Sequence, residues 1–131
     1  MPRAGADAAR LSVFKGREAR LNKAIFHILA LKGPQTIYDI HKEVEIRKGL
    51  RQTRYANVNK RVRALEESDY IKKIGVKRTK AGFQASIYEL TTKAFLAILF
   101  NSINLDELLM RVDDATAQTI LASLATLQTH S

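Results

Sequence analysis

The chain has 131 residues, room for one core, and 46% of them are hydrophobic, an ordinary share for a globular protein. The formal net charge is +9 and there is no cysteine, which excludes disulfides and thiolate metal sites and suits a reducing cytosol. The opening residues hold no apolar core of signal-peptide length, and the longest apolar run, Ala94 to Phe100, is far short of the roughly 20 residues that span a bilayer. These features predict a cytoplasmic protein that does not use a membrane.

The charge is not spread evenly. Twelve cations and three anions fall between Arg47 and Lys80, so this window carries the whole excess. Residues 81–131 hold two cations against five anions, and from Ala115 to Ser131 there is no Asp, Glu, Lys or Arg. A basic excess confined to about a quarter of the chain fits a surface shaped for a polyanion.

In chain order, residues 1–15 mix Ala, Gly, Arg and Asp with little periodicity and read as a flexible arm, in which Arg3 and Arg10 are idle or touch phosphate. Arg17 to Leu31 reads as a helix with Leu21, Ala24, Ile25, Ile28 and Leu29 on its buried face; Gly33-Pro34 ends it. A second helix starts near Thr36, with Thr36 and Asp39 spaced as a capping-box variant and Ile37, Ile40 and Val44 as its stripe. It gives out near Gly49, and the turn IRKGLR leads to a third helix, residues 53–67. There Tyr55, Val58, Val62 and Leu65 share one apolar face, Thr53 is the expected N-cap, and Arg54, Asn57, Lys60 and Arg61 lie outside the stripe. Two helices joined by a short Gly-bearing turn, the second one basic, form the helix-turn-helix pattern.

Beyond Ser68-Asp69, YIKKIGVKR and FQASIYEL alternate as strands around the turn RTKAG, a hairpin whose tip carries Lys77, Arg78 and Lys80. Thr91 or Thr92 caps a helix that is apolar on nearly every side and is expected to be widely buried. Asn104 and Glu107 cap a short helix, and Asp113-Asp114 opens a last one with Ile120, Leu121, Leu124 and Leu127 in its stripe. The fold class is therefore mostly α with a small β-hairpin, an α+β arrangement.

The segment VNKRVRALEESDYIKK and the hairpin ending IYELTTKA resemble winged-helix transcription regulators of the MarR, PadR and ArsR kinds. The matching residues are Leu65, Glu66, Tyr70, Ile71, Tyr88, Leu90 and Thr91; Asp69 stands where Gly is usual, and Ala94 where a Gly often follows. Asp tolerates the left-handed conformation better than most residues, so the first departure is mild. The resemblance spans about residues 17–100. It implies a winged-helix DNA-binding domain over residues 16–100; the uncharged, Leu-striped end of the chain makes residues 101–131 the expected C-terminal helical dimerisation extension.

On this basis the expected function is sequence-specific binding of double-stranded DNA by a homodimeric transcription regulator, a repressor by steric occlusion of a promoter. Helix 53–67 would enter the major groove, with Gln52, Thr53, Arg54, Asn57 and Arg61 near bases, since Arg forks onto guanine and Asn or Gln pairs with adenine. Lys60 and Arg63 would meet phosphates, Arg47, Lys48 and Arg51 would anchor the turn, and Lys77, Arg78, Thr79 and Lys80 of the wing (residues 77–83) would touch backbone or minor groove. Ile120, Leu121, Leu124 and Leu127 would form the dimer interface, because leucines at steps of three and four suit a partner helix. The alternative is a winged-helix adaptor for protein or RNA; RNA would call for exposed aromatics, of which Phe83 is the candidate. No cofactor and no metal site is expected, and no small-molecule effector can be named. An enzyme is not expected: His27, His41 and His130 are scattered, and no nucleophile or phosphate-loop motif is present.

Overall fold

The computed structural model describes residues 11–129, so the expected contacts of Arg3 and Arg10, and His130, lie outside the described residues. Six helices and three short strands follow in the order α1 (Ala19–Lys32), β1 (Gln35–Thr36), α2 (Ile37–Glu45), α3 (Tyr55–Glu67), β2 (Ile71–Arg78), β3 (Gln84–Leu90), α4 (Thr92–Ser102), α5 (Leu105–Arg111) and α6 (Asp114–Thr129). The chain divides into two compact units between Asn101 and Ser102.

In the first unit, α1, α2 and α3 pack around one core. Ile25, Phe26, Ile28, Ile40, Val44, Val58 and Val62 are shielded completely, each such burial being worth about 1.5–3 kcal/mol. The boundaries follow local chemistry. Gly33 closes α1 at φ 78°, a conformation that costs glycine nothing, and Pro34 cannot continue the helix. Thr36 caps α2 as its spacing predicts, its hydroxyl accepting from the Asp39 N–H at 3.1 Å.

Two segments behave differently from expectation. The arm predicted through residue 15 is a packed element from residue 11 onward. Ser12–Phe14 form a 3₁₀ turn whose Val13 and Phe14 are buried, Phe14 meeting Phe26 edge-on at 5.3 Å between ring centres. The anchor is Asn22, a buried polar residue on the apolar side of α1, which donates from Nδ2 to the Val13 carbonyl at 2.9 Å. Among the described residues no buried side-chain polar atom lacks a partner. The second difference is β1. Its two residues, too few for a periodic signal, pair antiparallel with β3 (Gln35 opposite Tyr88), giving a three-stranded sheet in the order β1-β3-β2.

The β2–β3 hairpin runs in register from Ile71 opposite Leu90 to Arg78 opposite Gln84, with a bulge between Lys73 and Gly75. Its root explains the motif residues. Asp69 adopts φ 64°, the left-handed turn usually given to Gly, and lets the Tyr70 N–H reach the Leu65 carbonyl at 2.9 Å. Thr91 then closes the hairpin onto this turn, donating from Oγ1 to the Asp69 carbonyl at 2.6 Å and accepting from the Ala94 N–H at 3.2 Å. Thr91 is thus the cap of α4.

The wide burial expected of α4 is not found. Only Ala94 and Ala97 are buried, whereas Phe95, Leu96 and Phe100 are about half exposed. The two alanines face the core with Ile98 packed against it, while Phe95, Leu96, Leu99 and Phe100 face away from it. In the second unit, Asn104 caps α5 by accepting from the Glu107 N–H at 3.2 Å. Asp113 opens α6 by accepting from the Thr116 N–H at 2.7 Å, a bond that holds its carboxyl below the usual range. Among the described residues no helix is long and apolar enough to cross a membrane, and no group of three His, Asp or Glu residues could hold a metal.

Candidate nucleic-acid interface

The apolar stripe of α3 seats the helix, and α2 fixes where it starts. The spacing predicts Thr53 as N-cap, but the helix opens one residue later. Arg54 takes the cap position at φ −84°, ψ 152°, and its carbonyl accepts from the N–H groups of Asn57 and Val58. Thr53 is diverted by a long-range contact: its carbonyl accepts from Nε2 of His41 at 2.9 Å. The same imidazole stands edge-on to Tyr55 at 5.7 Å and lies 3.6 Å from the Glu45 carboxylate. His41 therefore sets the angle at which α3 leaves the turn. The bond requires the proton on Nε2 when the ring is neutral.

With Val58, Val62 and Leu65 facing inward, Arg54, Asn57, Lys60 and Arg63 are exposed. The 100° step of the helix places Asn57, Lys60 and Arg63 across its outer side. Asn59, which no sequence signal singled out, lies on the flank toward β3 and accepts from Nε of Arg63 at 3.3 Å. With Tyr55, Gln84 and Ser86, these two residues line a groove between α3 and β3. Arg61 is drawn to the opposite flank. Its side chain is only 20% exposed, and its Nε donates to Asn22 Oδ1 at 3.3 Å and approaches Glu18 at 3.9 Å. The residue that holds residues 11–15 to α1 thus also holds Arg61.

In the turn before α3, Lys48, Arg51 and Gln52 are exposed and Arg47 is half-buried. The wing tip is closed by Thr79, whose backbone N–H donates to the Phe83 carbonyl at 2.7 Å and whose hydroxyl accepts from the Phe83 N–H at 3.1 Å. Gly82 completes the turn at φ 88°. Arg78 and Lys80 project from this tip, while Lys77 reaches back to Asp39 at 3.9 Å, an exposed pair of small energetic weight. The sequence-predicted cations of turn, helix and wing therefore all lie in the first unit. No sequence signal marks Arg17, Arg20 and Lys23 as site residues, yet the fold sets them beside α3 with Lys60 and Arg61. Arg17 in the turn before α1 and Arg20 and Lys23 on it mark only a solvated face; the neighbour they acquire depends on the tertiary fold.

In the second unit, Ile120, Leu121, Leu124 and Leu127 share α6 and are 42%, 66%, 51% and 66% exposed.

A helix, a short strand, a helix, a turn, a basic helix and a hairpin stitched back by β1 define a winged helix-turn-helix protein. Several solved structures are similar to the chain, each at 20% identity or less. TA0346 of Thermoplasma acidophilum, a protein assigned to transcriptional regulation, aligns over 84% of this chain and 97% of its own with a TM-score of 0.53 and 16% identity. Diamide-treated YodB of B. subtilis aligns over 76% and 84% with 0.49 and 20%. A point mutant of S. aureus MepR bound to an oligodeoxyribonucleotide aligns over 98% and 88% with 0.48 and 16%. No protein-family profile and no curated protein matches the sequence.

Proposed function

We propose that this protein is a sequence-specific, double-stranded DNA-binding transcription regulator that works as a homodimer. The observation that carries the reading is the outer side of α3. An amide and three cations, Asn57 with Arg54, Lys60 and Arg63, are exposed on a helix held by the buried Val58, Val62 and Leu65, while Tyr55 of the expected stripe is half exposed, and the wing cations Arg78 and Lys80 are exposed in the same unit. A rigid helix with an uncovered cationic, amide-bearing side suits the major groove, where such groups read base edges and phosphates. In this account Arg54 and Asn57 read bases with Gln52. Lys60, Arg63, Arg47, Lys48 and Arg51 meet phosphates, and Arg78 and Lys80 meet the backbone or minor groove. Arg61 and Thr79 contribute mainly by holding α3 and the wing tip in place. Lys77 adds charge at the wing.

Homodimerisation is supported by the uncharged stretch after Asp114 and by the exposure of Ile120, Leu121, Leu124 and Leu127. A two-fold dimer would present two recognition helices to inverted half-sites about one helical turn apart. Occlusion of a promoter, hence repression, is the simplest consequence. Fluorescence anisotropy with labelled duplex tests the reading: log affinity should fall linearly with log salt. Affinity that does not change with salt would contradict it.

One observation favours keeping single-stranded nucleic acid in the comparison. Tyr38, Tyr55 and Phe83 are 59%, 46% and 71% exposed, more aromatic surface than the sequence leads one to expect. Competition by single-stranded DNA and structured RNA decides. The duplex reading expects weak competition, and the adaptor reading expects competition equal to that by duplex.

A further inference from the structure

The flank of α3 turned toward α1 borders a groove of about 810 Å³, lined from the α1 side by Arg17, Arg20 and Lys23 and from the α3 side by Asn57, Lys60 and Arg61. Its one acidic neighbour, Glu18, lies 3.9 Å from Arg61, whereas Arg17, Arg20, Lys23 and Lys60 form no ion pair with any described residue. Four uncompensated cations converging on one cleft repel one another and gain most from a polyanion laid between them. The placement of Arg20 is built into the turn. Gly49 stands at φ 84°, and a Cβ there would come within 2.9 Å of Arg20 Nη1, so the bare glycine lets the guanidinium lie across the helix-turn-helix turn. Arg20 is thereby set against the turn that carries Lys48 and Arg51.

We infer that this groove is a second phosphodiester-binding site, and that it takes the strand of the duplex opposite the one met by the wing. This rests on the reading of α3 as the recognition helix. Asn59 and Arg63 border the groove on the wing flank, and Asn57, Lys60 and Arg61 border the one on the α1 flank. A helix seated in a major groove about 12 Å wide has one sugar-phosphate strand along each flank. The wing supplies cations to one strand, and Arg17, Arg20 and Lys23 supply them to the other. Clamping both strands would fix how deeply α3 enters and how it is rotated, which the exposed end of a helix cannot fix by itself.

The test uses the full-length protein, a labelled duplex of about 30 base pairs, a salt series and hydroxyl-radical footprinting. The variant Arg17→Gln with Lys23→Gln removes two side chains that have no described ionic partner, so folding is retained and can be checked by circular dichroism. Arg20→Gln is then added, and Arg78→Gln with Lys80→Gln is the comparator. The first pair should lower the slope of log affinity against log salt by up to about 1.8, at roughly 0.9 per phosphate contact. It should also remove protection along one edge of the major groove while the wing protections stay; the wing pair should do the reverse. An unchanged slope and footprint in the α1 pair, with both altered in the wing pair, would overturn the inference and leave the recognition-helix reading standing. Loss of protection at the same phosphates in both pairs would also overturn it. Absence of salt-dependent duplex binding by the wild-type protein would overturn the reading beneath it.

Discussion

In α3 the residues Val58, Val62 and Leu65 are no more than 2% exposed, whereas in α6 Ile120, Leu121, Leu124 and Leu127 are 42–66% exposed. Both stripes repeat at steps of three and four, so both announce a face that will leave water. They differ in what the chain offers to cover them. Around α3, the stripes of α1 and α2 and the hairpin root close one core, and the charges left over stand outward. Residues after Asp114 carry no Asp, Glu, Lys or Arg, and among the residues of α5 and α6 whose burial is described none is buried. A stripe foretells burial but not the partner. In the first unit the partner is the same chain; for the second, the proposal is another copy.

The largest effect should come from removing the second stripe. Truncation after Asp113 should halve the mass measured in solution and leave the winged unit folded. It should weaken binding to a two-half-site duplex by roughly 10²–10⁴-fold, the usual gain from tethering two modules. A full-length protein that is monomeric at micromolar concentration would remove the dimer from the account.

Single substitutions sharpen the contrast. Ile25→Ala, at a site with no exposure, should cost about 2–5 kcal/mol in chemical unfolding of the monomeric truncation. Leu121→Ala in the full chain, diluted until monomeric, should change stability by about 0.5 kcal/mol or less, yet weaken self-association. Equal destabilisation by both would mean that α6 packs on its own chain.

Within the first unit, Arg54→Ala and Asn57→Ala should each cost about 1–3 kcal/mol on the preferred duplex and less on unrelated DNA. Arg61→Ala should instead lower the melting temperature and weaken both kinds of DNA alike, because its guanidinium is tied to Asn22 and Glu18. At the wing, Lys80→Ala or Arg78→Ala should flatten the salt slope by about 0.9 without altering sequence preference.

The smallest effect is on pH. The Asp113 carboxyl is held below its ordinary 3.8 by the Thr116 N–H. A depressed folded value means that the cap is present above the unfolded pKa and is lost as pH falls through the folded one. Helical signal from α6 should therefore decline only in strong acid, and Asp113→Ala should remove that step.

What the sequence foretold depended on range. Elements written by local rules were legible: Thr36 with Asp39, Asn104 with Glu107, the Gly33-Pro34 stop, and Asp69 in a left-handed turn. Features created by contacts across the chain were not. Thr53 has the right residue type and spacing for a cap, but His41, twelve residues earlier, engages its carbonyl and the helix begins at Arg54. Phe14 lies in a stretch with no periodicity, and nothing local says that Asn22 will hold it. Asn59 and the α1 cations join the candidate interface only once α1, α3 and β3 are side by side. In α4 the composition called for burial, and the outcome was set by which face carries alanine.

Selection of bound sites from a random duplex pool by the full-length protein asks whether the outer side of α3 reads duplex sequence. One motif should be enriched, two inverted half-sites about one helical turn apart, and lost with Asn57→Ala. Recovery of unselected sequence at every salt concentration, from wild type and variant alike, would contradict that role for α3.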